Sequence, residues 1–162
     1  MIFVTVGTHE QQFNRLVECM DLYAKEYNEE VIIQTGYSTY KPQYSIHSKF
    51  YSYDEIGDFI NRAHIVITHG GPSSFIRAVQ CKKIPLVVPR KKEFGEHVNN
   101  HQYEFCKEIE NRFGYIKVVD VGDLKNMIIN YSEIDSKRNE IIFNNDDFCI
   151  RFNNVVEDLL GK

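Results

Sequence analysis

Apolar positions along the chain fall into two rhythms, short continuous runs and helical stripes, and these alternate from end to end. Residues 2–6 (Ile-Phe-Val-Thr-Val) are a short, β-rich apolar run and predict a buried parallel strand. Gly7-Thr8-His9 follow, and then Phe13, Leu16, Val17, Met20 and Tyr23 recur at helical spacing, with Leu22 off that stripe. Residues 31–34 predict the next strand, ending at Thr35-Gly36. The stretch 37–49 reads as a loop in which Tyr37, Tyr40, Pro42 and Tyr44 are spread through polar residues, suited either to an interface or to simple packing. A short strand over 49–53 and a helix over 54–63 come next, with Asp54 as its N-cap and Ile56, Phe59 and Ile60 on one face. The run 65–67 ends at Thr68-His69; Gly70, Gly71 and Pro72 turn the chain; Ser73 and Ser74 open a helix; and 84–88 forms another strand. A helix from 99 or 100 to 112 is closed by Gly114 as a left-handed cap, followed by a strand over 115–119 and a helix over 124–131.

Strands alternating with helices throughout predict an α/β fold, a three-layer, Rossmann-like, mainly parallel doubly wound sheet. In such sheets ligands sit beyond the carboxyl ends of the strands. Two strand–glycine–helix junctions therefore matter, at Gly7-Thr8-His9 and at His69-Gly70-Gly71. The first reads equally as a ligand-facing turn or as a plain tight turn. At the second, a helix starting at Ser73-Ser74 presents free N–H groups and a positive dipole end to an anion. His69 is either a ligand contact or a core or capping histidine. Arg90 is placed after a strand end for forked bonds to a diphosphate, while Lys91 and Lys92 read as solvated charges. Glu96, His97, Asn100, His101 and Gln102 gather just before or at a helix start, where they suit sugar or ribose hydroxyls or a capping network.

Composition narrows the field. A chain of 162 residues is read as a single domain, 1–162, with ordinary hydrophobic (43%) and charged (26%) content. A net charge of −4 argues against nucleic acid as a partner. Cys19, Cys81, Cys106 and Cys149 are scattered and read as free thiols in a reducing cytoplasm. The first residues lack a signal peptide's basic flank, and no apolar run approaches a membrane span. Residues 132–147 are polar and charged. Beyond them Phe148, Phe152, Val155, Val156, Leu159 and Leu160 form one stripe that either packs back on the domain or docks a partner, so 132–162 is read as a candidate docking region. The first strand is not followed by GxGxxG, and the sequence carries no GxxxxGK[ST], no Asp-x-Asp and no GxSxG. Histidine spacing gives no convincing metal set, so no metal and no cofactor is expected.

Three segments, FVTVGTHEQQFNRLV, IVITHGGPSSF and PLVVPRKKEFGEHVNNHQ, together resemble the glycosyltransferase family 28 C-terminal domain, the nucleotide-sugar-binding half of a GT-B glycosyltransferase. The third segment is the most specific, and bacterial polysaccharide subunits look like it. The likeness runs to about Val121. It implies a donor-binding subunit that works with a membrane-attached, acceptor-side glycosyltransferase subunit, cytoplasmic and recruited to the inner face of the cell membrane through it. The implied donor is a UDP-sugar, the acceptor a polyprenyl-diphosphate-linked saccharide, and the reaction an inverting transfer without bound metal. A role in bacterial capsule or exopolysaccharide synthesis follows, adding a β-linked hexose such as galactose to lipid-linked glucose. By the same resemblance Gly70, Gly71, Ser73 and Ser74 match the diphosphate-binding turn, and His101 and Gln102 the pair facing the donor sugar. Gly7, Thr8 and His9 match the glycine turn near the bond being formed. His9 is the candidate base, the partner being the other source.

The pattern departs at one position. Many relatives place a ribose-holding Glu in the helix after the glycine turn, and here that position is Arg77, which cannot accept hydrogen bonds from hydroxyls. Glu96 is then the candidate for ribose. The rival readings are a non-catalytic stabilising subunit, a homo-oligomer that completes the site from two copies, and another GT-B-shaped enzyme such as an epimerase.

Overall fold

A computed structural model describes residues 1–137. The C-terminal stripe expected over 148–160 lies outside the described residues. The strands are β1 (Ile2–Thr5), β2 (Val31–Gln34), β3 (Ile46–Ser48), β4 (Ile65–His69), β5 (Leu86–Val88) and β6 (Lys117–Val118). The helices are α1 (Asn14–Tyr27), α2 (Tyr53–Arg62), α3 (Pro72–Gln80), α4 (His101–Phe113), α5 (Val121–Ile129) and α6 (Tyr131–Asp135). All six strands pair in parallel in the order β3-β2-β1-β4-β5-β6. That is the doubly wound arrangement expected from the alternation, and its order reverses at β1 and β4.

The sheet is covered on both faces, which is why β1, β2, β4 and β5 are apolar without alternation. On one face Leu16, Val17 and Met20 of α1, Leu124 and Ile128 of α5 and Tyr131 of α6 pack on Ile2, Val4, Ile33, Ile65, Ile67 and Val88. On the other, Ile60 of α2 and Ala78 of α3 meet Phe3, Ile32 and Val66, while Phe75, Val79 and Cys106 meet Val87 and Val118.

Element edges differ from the sequence reading where local chemistry overrides apolar runs. The third strand lies at 46–48 rather than 49–53; it is an edge strand with Ile46 and His47 exposed, so it carries no apolar signal. Helix α2 is capped by Ser52, not Asp54: the Ser52 hydroxyl accepts from the Glu55 N–H, and the Glu55 carboxylate accepts from the Ser52 N–H at 2.7 Å. This S-x-x-E capping box is visible in the sequence. The predicted 124–131 helix is two helices, α5 beginning at Val121 under the N-cap Asp120 and α6 beginning at Tyr131. A 3₁₀ turn at Lys92–Phe94 has no counterpart in the apolar pattern. Gly114 closes α4 with φ 65°, as read from the sequence.

The tyrosine-rich loop is a packed loop. Asp21 of α1 is fully buried and accepts from the backbone N–H groups of Gln43, Tyr44 and Ser45 and from the hydroxyls of Ser45 and Tyr40. One carboxylate thus holds down residues 40–45.

Candidate functional site

The switch in strand order leaves a crevice beyond the carboxyl ends of β1 and β4, with a volume of about 440 Å³. Gly7, Thr8 and His9 line it from the β1 side, His69 from β4, Ser73, Ser74 and Arg77 from α3, and Tyr53, Ile56 and Ile60 from α2. Gln34 closes the floor and is fixed by donating to Thr5 Oγ1 at 3.1 Å and accepting from the Tyr51 N–H at 3.2 Å.

His69 is the floor's central group, and the two glycine turns exist around its ring. A Cβ on Gly71 would lie 2.3 Å from His69 Nε2, and one on Gly7 would lie 2.4 Å from Cε1. Gly7 additionally has φ 74°, in the left-handed region. Gly70 serves a different contact: a Cβ there would meet the Gln102 side chain at 2.9 Å and Cys106 Sγ at 3.2 Å, so it lets α4 approach the turn. The His69 ring is 8% exposed, and its Nδ1 has no hydrogen-bond partner among the described residues. Burial first, and then the positive charge of Arg90, push its pKa down to about 4, with the Thr5 backbone pulling partly the other way. The ring is therefore neutral near pH 7.

Helix α3 begins at Pro72 with Gly71 as N-cap and no side-chain cap. Pro72 has no N–H, and the Ser74 N–H turns back to the Gly71 carbonyl at 3.1 Å. The Ser73 N–H and the two serine hydroxyls remain for an anion at the dipole's positive end. On the other side of this turn a shallower hollow of about 440 Å³ is lined by Gly70, Pro72, His101 and Gln102. The α3 start stands between the two spaces. His101 is exposed there, while Gln102 accepts from the Arg90 N–H at 3.2 Å.

Two residues read as ligand contacts are not available. Arg90 is fully buried, and its guanidinium donates to the carbonyls of Gln11 (2.8 Å), Gln12 (3.0 Å), Glu96 (3.2 Å) and Val6 (2.8 Å), over the Phe13 ring. It ties the β1–α1 turn to the segment after β5 and cannot reach a diphosphate. Burial lowers its pKa to about 10, offset in part by Glu96, so the charge persists at neutral pH. Glu96 is 1% exposed; its oxygens accept from Arg15 Nε (2.7 Å), Arg15 Nη2 (3.0 Å) and the Lys91 N–H (2.9 Å). With both oxygens engaged and buried, it is not a ribose contact. Charge density in a sequence marks cations without saying which way they point.

His9 is exposed at the rim, with its ring 5.1 Å from that of His97. Its pKa is lowered by partial burial, then by Arg90 and His97, against Glu10. The Gln11 N–H donates to its Nδ1 at 3.3 Å, an arrangement that puts the ring proton on Nε2. His97 bonds to Asn99 rather than lining the crevice. Tyr53, Ile56, Ile60 and Gln34 are crevice residues the sequence reading missed, because they come from elements remote in the chain.

A further cavity of about 450 Å³ lies beyond β5 and β6, but its cations are paired. Lys91 binds Asp120, and Lys107 and Lys117 both bind Glu110, at 2.8 and 2.9 Å. Among the described residues no three His, Cys, Asp or Glu side chains gather as metal ligands, and no helix is long and apolar enough to cross a membrane.

The chain is 32% identical over 120 residues to the human UDP-N-acetylglucosamine transferase subunit ALG13, covering 67% of this chain and 10% of that protein. The mouse protein of the same name is 30% identical over 118 residues, again with 10% of its length covered. The chain thus spans about a tenth of these relatives. Its fold is shared by the kitacinnamycin glycotransferase (TM-score 0.61, 11% identity, 86% of this chain and 37% of that one). The calicheamicin glycosyltransferase CalG4 shares it as well (TM-score 0.59, 9% identity, 85% and 36%). The model of the glycosyltransferase family 28 C-terminal domain matches residues 1–140. With the parallel sheet, the switch-point crevice and the glycine turn in place, the chain belongs to the glycosyltransferase family 28 C-terminal domain.

Proposed function

We propose that this chain is the donor-binding subunit of a two-component inverting glycosyltransferase. The observation that carries the reading is the helix start at Ser73-Ser74, which no side chain caps and which opens into the switch-point crevice. The name of the human relative, a transferase subunit, supports a heteromeric assembly. In this reading a UDP-sugar lies across the α3 start, its diphosphate against Ser73 and Ser74 and its sugar toward His101 and Gln102. The facing wall comes from a membrane-attached partner that brings a polyprenyl-diphosphate-linked acceptor and recruits the chain to the cytoplasmic membrane face. The setting is bacterial capsule or exopolysaccharide synthesis, and the sugar a hexose, galactose or a relative, added in β-linkage to lipid-linked glucose.

The acceptor hydroxyl oxygen forms a bond to the anomeric carbon as the bond from that carbon to the diphosphate oxygen breaks. UDP leaves with the electron pair. Negative charge grows on the diphosphate, where the α3 dipole and the Ser73 N–H stabilise it without a metal. The acceptor proton passes to a base. His9 is neutral and at the rim, but with its Nδ1 engaged its free nitrogen is a donor, which favours a base from the partner.

The test is co-expression with a candidate membrane partner, followed by assay of the co-purified pair with a panel of UDP-sugars and a lipid-linked glucose acceptor. Transfer by the pair and by neither half alone is expected, unchanged by chelator. No transfer with any donor would sink the reading.

A further inference from the structure

With Arg90 withdrawn into the interior, the crevice keeps one cation, Arg77, at the position where the resemblance leads one to expect an acid. We propose that Arg77 is the crevice's anion-binding group and that it holds the second phosphate of a diphosphate whose first phosphate sits at the α3 start.

Four observations converge. Arg77 lines the crevice with Ser73 and Ser74, and it follows Ser73 by four residues, so the two share a helix face about one turn, roughly 5.4 Å, apart. Its guanidinium is held in place: it lies over the Tyr53 ring at 3.7 Å, and a Cβ on Gly57 would come within 2.6 Å of Nη2. Stacking on a ring leaves the guanidinium edge, with its N–H donors, for phosphate oxygens. Among the described residues it makes no ion pair. The acids of the facing helix do not serve it: Asp54 and Asp58 are exposed, and Glu55 closes the capping box on Ser52. Finally, the His69 ring lies in the crevice floor with Nε2 as its atom nearest the turn before α3, 2.3 Å from where a Gly71 Cβ would stand. Dipole end, positioned guanidinium and the His69 Nε2 edge make one polar surface, matched to two linked phosphates rather than to one.

The proposal rests on the donor-site reading above, and the probes separate the two. Binding of inorganic diphosphate, UDP, UMP and UDP-glucuronate is titrated calorimetrically against the wild-type chain, R77A and R77K. R77A is expected to lose about tenfold or more in affinity for diphosphate and UDP, as the loss of a charge-assisted bond implies, and clearly less for UMP. R77K should recover part of it, and the melting temperatures should stay together, since the half-buried side chain makes no ion pair among the described residues. Equal diphosphate and UDP affinity in R77A and wild type overturns the assignment and leaves the donor-site reading standing. Arg77-dependent binding of diphosphate by a chain that ignores UDP does the reverse. A wild-type chain that binds neither overturns both. A loss confined to UDP-glucuronate would mean that Arg77 reads a sugar carboxylate, and it too overturns the diphosphate assignment.

Discussion

Arg90 does not take the role its sequence context suggests. The run Pro89-Arg90-Lys91-Lys92 looks like a phosphate-facing cluster, yet Arg90 turns inward to four carbonyls while Lys91 pairs with Asp120. Arg90→Ala should therefore cost on the order of 3–5 kcal/mol, because it strips charged bonds from buried carbonyls and leaves Glu96 with one cation fewer. Urea unfolding reads this directly; a loss under about 1 kcal/mol would deny the structural role. The glycines were legible as turns but not as the walls of a histidine slot, because the slot is made by residues 7, 69 and 71 meeting in space. Gly71→Ala forces the His69 ring to move and should destabilise by about 1–3 kcal/mol, visible as a lowered melting temperature. His69 also sets a pH dependence. Its folded pKa, about 4, lies below the usual imidazole value of 6.5, so the unfolded chain binds the extra proton between those values. The stability this group contributes is complete above about 6.5 and is lost as pH falls toward about 4. His69→Gln should flatten that part of the stability–pH curve; an unchanged slope would contradict the burial argument.

Among the elements, strands buried on both faces were read well, because β1, β2, β4 and β5 are continuous apolar runs. The edge strand β3 was displaced to the wrong residues because an exposed, three-residue strand has no hydrophobic signature. The start of α2 was missed by two residues although Ser52 and Glu55 stand at capping-box spacing; Ser52→Ala should cost about 1 kcal/mol. The loop before β3 depends on one buried acid. Burial alone would raise the Asp21 pKa, but the bonds from Gln43, Tyr44 and Ser45 outweigh it and hold the pKa below the usual carboxylate value. Its contribution is present above the unfolded carboxylate pKa and disappears as pH falls through the lower folded one. Asp21→Ala should raise amide hydrogen exchange at Gln43, Tyr44 and Ser45 with little change in β1 or β4. Uniformly raised exchange would mean that the loop is not an independent unit.

For the whole molecule, strand–helix alternation was enough for the doubly wound sheet, and the sheet order then fixed where a ligand lies. What the linear pattern could not supply was the crevice's second wall, since Tyr53, Ile56 and Ile60 reach it only through the crossover from β3 to β4. The crevice in this chain has an α3 start, a histidine floor and a cation, and its open side fits the account of a site finished by another subunit. The central claim is that the donor nucleotide binds at this switch point. Backbone amide shifts of the isotope-labelled chain, followed during titration with UDP, test it most directly. The account predicts that the largest shifts cluster at Gly7, Thr8, Gly71, Ser73 and Ser74. Shifts centred instead on the hollow beyond β5 and β6, around Asn100, Lys107 and Asp123, or no shifts at all, would contradict it.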